Sequence, residues 1–301
     1  MTTAGRRAHS VAELAQLMPK LAPSEEQLAA AAPLEARPSD VIITPYGKCG
    51  TTMTQQMFHQ LRTADRGGDM DFDDISRVVP WIETAASLDV DINAPQVAEP
   101  RGFKSHLDYE GLPAGSRYVV TLRDPKEAFV SMYHFFSGWF FEPGTIELDE
   151  FMPVWLIGGP SGLTYFKHLL SWWARRDEAD TLLLDYRWVV ANKRRTISML
   201  ADLCELPADE AVLDLVEHRT SREFMVEHKA PFADRMMRNM SEVKAGVPAG
   251  GDSAKVRSKD AERKELPQSV IEAIDAAWAE EIEPVTGHAD YASLAAALMP
   301  A

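Results

Sequence analysis

The sequence predicts an α/β fold: one domain with a central parallel sheet flanked by helices and a P-loop-like turn after the first strand. Three observations predict it. Short apolar, β-branched runs alternate with segments of helical periodicity, the pattern of parallel strands covered on both faces. The first run, 41–44, breaks abruptly into Pro45-Tyr46-Gly47-Lys48-Cys49-Gly50-Thr51-Thr52, after which a helical pattern begins. Finally, 301 residues at 46% hydrophobic and 26% charged content can bury one large core, or two small ones.

Residues 1–38 are rich in Ala and Pro and read as a helix and an arm lying on the main domain, 39–301. The helix after the first strand carries Met53, Met57 and Leu61 at a spacing of four. A second strand is expected at 102–105 and a third at 118–122. Asp124-Pro125 then starts a helix, with an acidic N-cap and Pro at the first position. The fourth strand is 181–186. Residues 188–204 read as one helix, with Val189, Ile197, Leu200 and Cys204 on one side. Val270, Ile271, Ile274, Trp278 and Ile282 mark a late amphipathic helix, and 291–301 reads as a docking helix. Pro, Gly and charge punctuate 142–162, read as a mobile flap, and 229–266, read as a partly ordered lid. Ligands of such sheets bind beyond the carboxyl ends of the strands. The turn after Thr44, the end of the second strand and Arg123 should therefore lie together.

Composition narrows the function. A net charge of −15 argues against nucleic-acid binding and against a polybasic membrane contact. No run of about 18 apolar residues appears, so no stable membrane insertion is expected. Cys49 and Cys204 lack a metal-ligand spacing and make no disulfide framework, which points to a reduced, cytoplasmic setting without a metal.

Three clusters carry chemistry. In the opening turn, backbone N–H groups, the helix N-terminus, two Thr hydroxyls and the Lys48 ammonium suit an anionic ligand such as a phosphate ester. The spacing differs from GxxxxGK[ST], because the lysine precedes the second glycine. An ordinary strand–turn–helix with incidental glycines is the competing reading. In the second cluster, Lys104 and His106 alternate at a strand end and point to one side; a histidine can take a proton at neutral pH. In the third, Arg123 ends a buried strand and Ser131 follows two helical turns on. Arg123 is suited either to a phosphate or to a carboxylate such as Asp124.

In this order the three clusters resemble the cytosolic sulfotransferase family, whose members use 3′-phosphoadenosine 5′-phosphosulfate (PAPS). The family loop Tyr-Pro-Lys-Ser-Gly-Thr-Thr-Trp is similar to Tyr46-Gly47-Lys48-Cys49-Gly50-Thr51-Thr52-Met53, and Lys-Thr-His-Leu to Lys104-Ser105-His106-Leu107. Arg-Asn…Ser-x-Tyr-x-Phe-Phe is similar to Arg123-Asp124 through Ser131-Met132-Tyr133-His134-Phe135-Phe136. "TYFKHLLSWWARR", "LLLDYRWVVAN" and "HRTSREFM" extend the similarity, which runs from about residue 40 to 282. The resemblance implies that Lys48, Cys49, Gly50, Thr51 and Thr52 hold the 5′-phosphosulfate, and that Arg123 and Ser131 hold the 3′-phosphate. It implies that Met53, Tyr186, Thr220 and Arg222 border the adenine, that His106 deprotonates the acceptor, and that Lys48 and Lys104 stabilise developing charge. The product would be adenosine 3′,5′-bisphosphate (PAP), and no metal is implied. Met53 replaces the family's stacking Trp, and Arg222 its Phe. Of the late 3′-phosphate signature only Arg257 and Lys259 are counterparts. The family's dimer motif is missing, so the oligomeric state is left open.

Tyr46, Trp81, His106 and Phe135 are expected to form the acceptor pocket, with Met152, Trp155 and Leu156 closing over it; simple core packing is the alternative for the aromatic residues. An aromatic-lined pocket favours a hydrophobic hydroxyl-bearing small molecule: a phenol, a sterol or a lipid-like alcohol. Trp172 and Trp173 read as core. Two other functions compete: an ATP-dependent small-molecule kinase, which would need a Walker lysine and an acidic magnesium ligand, and an inactive nucleotide-binding homologue.

Overall fold

The strands β1 (Val41–Ile43), β2 (Gly102–Lys104), β3 (Arg117–Leu122) and β4 (Thr181–Asp185) form one sheet in the order β2-β1-β3-β4, and every neighbouring pair is parallel. The structure, a computed structural model, describes residues 6–250 and 265–299. Ile43 stands opposite both Lys104 and Val119. The segments leaving β1, β2 and β3 therefore emerge at one edge, where ligands of parallel sheets bind.

Helices α1 (Val11–Leu17) and α2 (Glu25–Ala30) precede the sheet; α3 (Thr51–Arg62) follows β1 and α4 (Pro125–Trp139) follows β3. Next come α5 (Leu148–Leu156) and α6 (Tyr165–Trp173), with α7 (Tyr186–Ala191) and α8 (Lys193–Cys204) after β4. The remainder is helical: α9 (Glu210–Arg219), α10 (Arg222–Glu227), α11 (Arg235–Ala245), α12 (Gln268–Ala277), α13 (Glu283–Thr286) and α14 (Tyr291–Ala297). Side chains alternate across a strand, and the core divides accordingly. Ile42, Tyr118 and Val120 join the cluster under α4, α5, α6, α12 and α14. Val41, Ile43 and Val119 join the one under α3, α8 and α9.

Two expectations need correction and two are refined. Residues 142–162, read as a mobile flap, are not a structureless loop. They contain α5, whose Leu148, Phe151, Met152 and Trp155 recur at helical spacing and are buried against Phe129 and Phe166. The single helix at 188–204 is two, because Asn192 leaves helical geometry at φ −122° and ψ 44°, and the first begins at Tyr186, capped by Asp185. The late helix passes through a π turn at Trp278–Ile282 before α13. Within 229–266, residues 235–245 are the helix α11. Segments near both ends of the described residues pack on the domain. Ala8 exchanges backbone hydrogen bonds with Phe140 and Glu142, and α14 buries Tyr291 and Leu294. Trp172 and Trp173 are core residues.

Candidate active site

The turn between β1 and α3 is built by backbone conformation. Lys48 and Gly50 are both left-handed, at φ +70° and +100°. A left-handed lysine is strained, and such residues cluster at functional sites. At Gly50 a Cβ would stand 2.6 Å from Tyr186 Cδ2 and 3.2 Å from Thr121 Oγ1, so only glycine lets the turn approach that ring. The end of β3 clamps the turn from behind: Thr121 donates to the Cys49 carbonyl at 2.5 Å and Arg123 to the Lys48 carbonyl at 3.0 Å. No side chain caps α3, which leaves the N–H groups of its first turn for a ligand. Thr51 Oγ1 is buried beside them and has no hydrogen-bond partner.

His106 follows β2 and is fixed at two points. Its Nδ1 lies 2.7 Å from the Pro45 carbonyl oxygen, and its backbone N–H donates to Glu83 Oε1 at 2.7 Å. A carbonyl only accepts, so Nδ1 carries a proton, and in the neutral ring the lone pair is on Nε2. Glu83 is half-buried but its carboxyl is enclosed, and burial raises its pKa above the usual carboxylate range. The Lys104 ammonium lies 3.4 Å from the centroid of the Trp81 ring.

These groups share one cleft of about 1120 Å³. Its polar part is lined by Lys48, Gly50, Thr51, Thr52, Met53, Arg123, Ser131, Tyr186, Thr220 and Arg222. Its apolar part is lined by Met18, Leu21, Trp81, Phe135, Phe136, Trp139, Phe140, Met237 and Leu266, and Lys104 and His106 also face the cleft. The Lys48 ammonium sits 4.6 Å over the Phe135 ring. In a chain of net charge −15, this clustering of cations is the local feature an anion would meet. Arg123 pairs with Glu127 at 3.1 Å, not with Asp124, and Glu127 also accepts from Arg187 at 2.6 Å. Burial works against the Glu127 carboxylate, but the bonds from Arg187 and Arg123 prevail and hold its pKa below the usual range. Among the described residues, no group of three or more His, Cys, Asp or Glu side chains is placed to hold a metal ion, and no helix is long and apolar enough to cross a membrane.

The profile of the sulfotransferase domain matches residues 38–285. The chain belongs to the sulfotransferase family. It is 28% identical to mouse (Mus musculus) sulfotransferase 1B1 over 64% of this chain and 68% of that one. It is 27% identical to human (Homo sapiens) sulfotransferase 1C2 over 64% and 68%. The solved structures it resembles include a retinol dehydratase with androsterone and inactive cofactor PAP, at TM-score 0.67, 16% identity and coverage of 83% and 82%. Another is mouse sulfotransferase SULT7A1 with PAP, at TM-score 0.61, 17% identity and coverage of 91% and 93%. Those neighbours share the fold.

Most residues that the family resemblance singled out converge on the cleft, but Tyr46 and Cys49 do not line it. The Tyr46 ring packs edge-on against Tyr165, His168 and Trp155, at 5.5, 5.7 and 6.4 Å between centroids. Cys49 is fully buried; burial pushes its thiol up to about 12, and its N–H is spent on the Tyr46 carbonyl at 3.1 Å. Met152 and Trp155 belong to the core, and Leu156, the third residue of the expected flap, does not line the cleft. The Thr220 hydroxyl donates to the Val216 carbonyl at 2.7 Å, so the residue borders the cleft with its donor occupied. Arg257 and Lys259 lie outside the described residues. Sequence reasoning missed Lys126, Glu127, Arg187 and Lys193, which also line the cleft. Glu127 had a local signal, four residues after Arg123 on the same helix. Met18 and Leu21 had none, since only tertiary packing brings the N-terminal arm to the cleft.

Proposed function

We propose that this sulfotransferase-family chain transfers the sulfuryl group of PAPS to the hydroxyl of a hydrophobic small molecule, with His106 as general base. The observation that carries the reading is the bond from His106 Nδ1 to the Pro45 carbonyl, because it ties the candidate base to the turn that would hold the anion. PAPS, when bound, supplies the sulfuryl group and departs as PAP.

The residues present fit that group. The buried, unpartnered Thr51 hydroxyl, the uncapped N-terminus of α3 and the side-chain-free approach at Gly50 together make a cradle for tetrahedral oxyanions. Lys48, Thr51 and Thr52 would hold the 5′ end, Arg123 and Ser131 the 3′-phosphate, and Met53, Tyr186, Thr220 and Arg222 the adenine. The Lys48 and Lys104 ammoniums would stabilise charge as it develops. His106 Nε2 would take the acceptor proton, a contribution of about 10²–10⁴ in rate.

The apolar part of the cleft supports a hydrophobic acceptor. The structural neighbours include complexes with androsterone and with retinol, molecules of that class. The cysteines and the charge balance fit a cytoplasmic setting. A transfer assay with radiolabelled PAPS over phenols, sterols, fatty alcohols and sugars tests the proposal. Labelled product is expected from the apolar alcohols or phenols; a preference for sugars, or no product beside good PAP binding, would count against it.

A further inference from the structure

β2 is an edge strand, and its outer side is paired by the short segment 80–83. The Lys104 N–H donates to the Pro80 carbonyl at 2.8 Å, and Trp81 forms a parallel bridge with Lys104. Glu83 takes the His106 N–H. Two side-chain contacts repeat this pairing. The Lys104 ammonium lies 3.4 Å from the Trp81 ring centroid, and the His106 ring meets the same indole at 5.2 Å and 84°. One aromatic side chain thus touches both groups proposed to act on the transferring and accepting atoms.

We infer that Trp81 is a positioning residue, whose indole sets the Lys104 ammonium and the His106 imidazole in fixed relation to each other. The inference rests on the sulfuryl-transfer reading and goes beyond a pocket wall. Its physical basis is that Lys104 is only 3% exposed. A desolvated ammonium over an aromatic face is held more strongly than one at the surface. Bridge pairing holds the backbone of Trp81 in register with Lys104, which keeps the indole within reach of the ammonium.

Two measurements on the full chain test this. With lysine ε-carbons labelled, the Lys104 signal is the one lost in Lys104→Arg. Over an indole face its ε-protons should resonate upfield of the other lysines and return to their usual position in Trp81→Leu. With PAPS and 2-naphthol as probe, Trp81→Leu should lower kcat about tenfold while KM for PAPS stays within about twofold. Trp81→Phe should recover most of the loss. In a Lys104→Ala background, Trp81→Leu should add little further loss. An unshifted Lys104 signal in the wild type would overturn the inference, as would a Trp81→Leu loss that persists undiminished without Lys104. The NMR arm decides the position of Lys104 whatever the acceptor; failure of the wild type to sulfate any of a panel of alcohols would instead count against the functional reading alone.

Discussion

His106 Nδ1 donates to the carbonyl oxygen of Pro45 at 2.7 Å. The imidazole is thereby anchored to the first residue of the turn that holds Lys48, Gly50 and Thr51. A shift of that turn would strain this bond, so the proposed anion cradle and the proposed base are coupled. Removing one function while sparing the other is therefore a demanding test of the assignment.

The first prediction separates the two. His106→Ala should reduce transfer by at least about 10²-fold while PAP binding stays nearly unchanged. Lys48→Ala should weaken PAP binding itself, since its ammonium would lie on the phosphosulfate. Titration calorimetry with PAP on both variants checks this. Equal losses of affinity would assign His106 a structural role.

Gly50→Ala should harm folding and binding together. A Cβ there would meet Tyr186 at 2.6 Å on a backbone already left-handed. Holding a non-glycine residue in that region costs about 1–2 kcal/mol. Thermal melts should show a lowered Tm, and PAP should restore less of it than in the wild type. An unchanged Tm and affinity would mean that the turn relaxes freely.

Stability should fall in mild acid. Burial lowers the pKa of His168 to about 4, and burial together with the neighbouring Arg62 lowers that of His59 to about 4. Unfolded histidine titrates near about 6.5. Between those values the unfolded chain binds more protons than the folded one. The stabilisation is thus complete above about pH 6.5 and is lost as pH falls toward about 4. Near pH 5 the two groups together give a slope of up to about 2–3 kcal/mol per pH unit. Urea midpoints across this range check the slope, and His168→Gln should flatten it. An unaltered slope would place the protons elsewhere.

Tyr291 should matter to the proposed nucleotide site from a distance. Its hydroxyl donates to Asp185 Oδ1 at 2.6 Å, and the other Asp185 oxygen caps α7 through the Trp188 N–H at 2.8 Å. α7 begins with Tyr186, the proposed adenine wall. Tyr291→Phe should cost about 1.5–3 kcal/mol of stability, as for a hydrogen bond to a charged group, and weaken PAP binding more than Lys48-independent controls on the surface. Chemical denaturation and PAP titration read the two effects.

Much of this was legible because its causes are local. The strands are short β-branched runs buried on both faces, and the proposed cradle is a cluster of residue types at one turn. The directions of Tyr46 and Cys49 were not legible: the turn carries left-handed torsions at Lys48 and Gly50, which residue types permit but do not dictate, and tertiary packing takes both side chains inward. Helix α5 was missed for another reason. Its apolar residues recur at helical spacing, but the flanking Pro, Gly and acidic residues masked the pattern. Glu83 and the arm residues Met18 and Leu21 reach the site only through tertiary packing, for which one sequence carries no signal.

The most direct measurement is a crystal structure of the chain with PAP. The 5′-phosphate is expected against Lys48, Thr51 and Thr52, with the Nε2 of His106 turned toward it and the Nδ1 bond to Pro45 kept. A phosphate bound elsewhere, or an imidazole turned away from it, would contradict the proposed function.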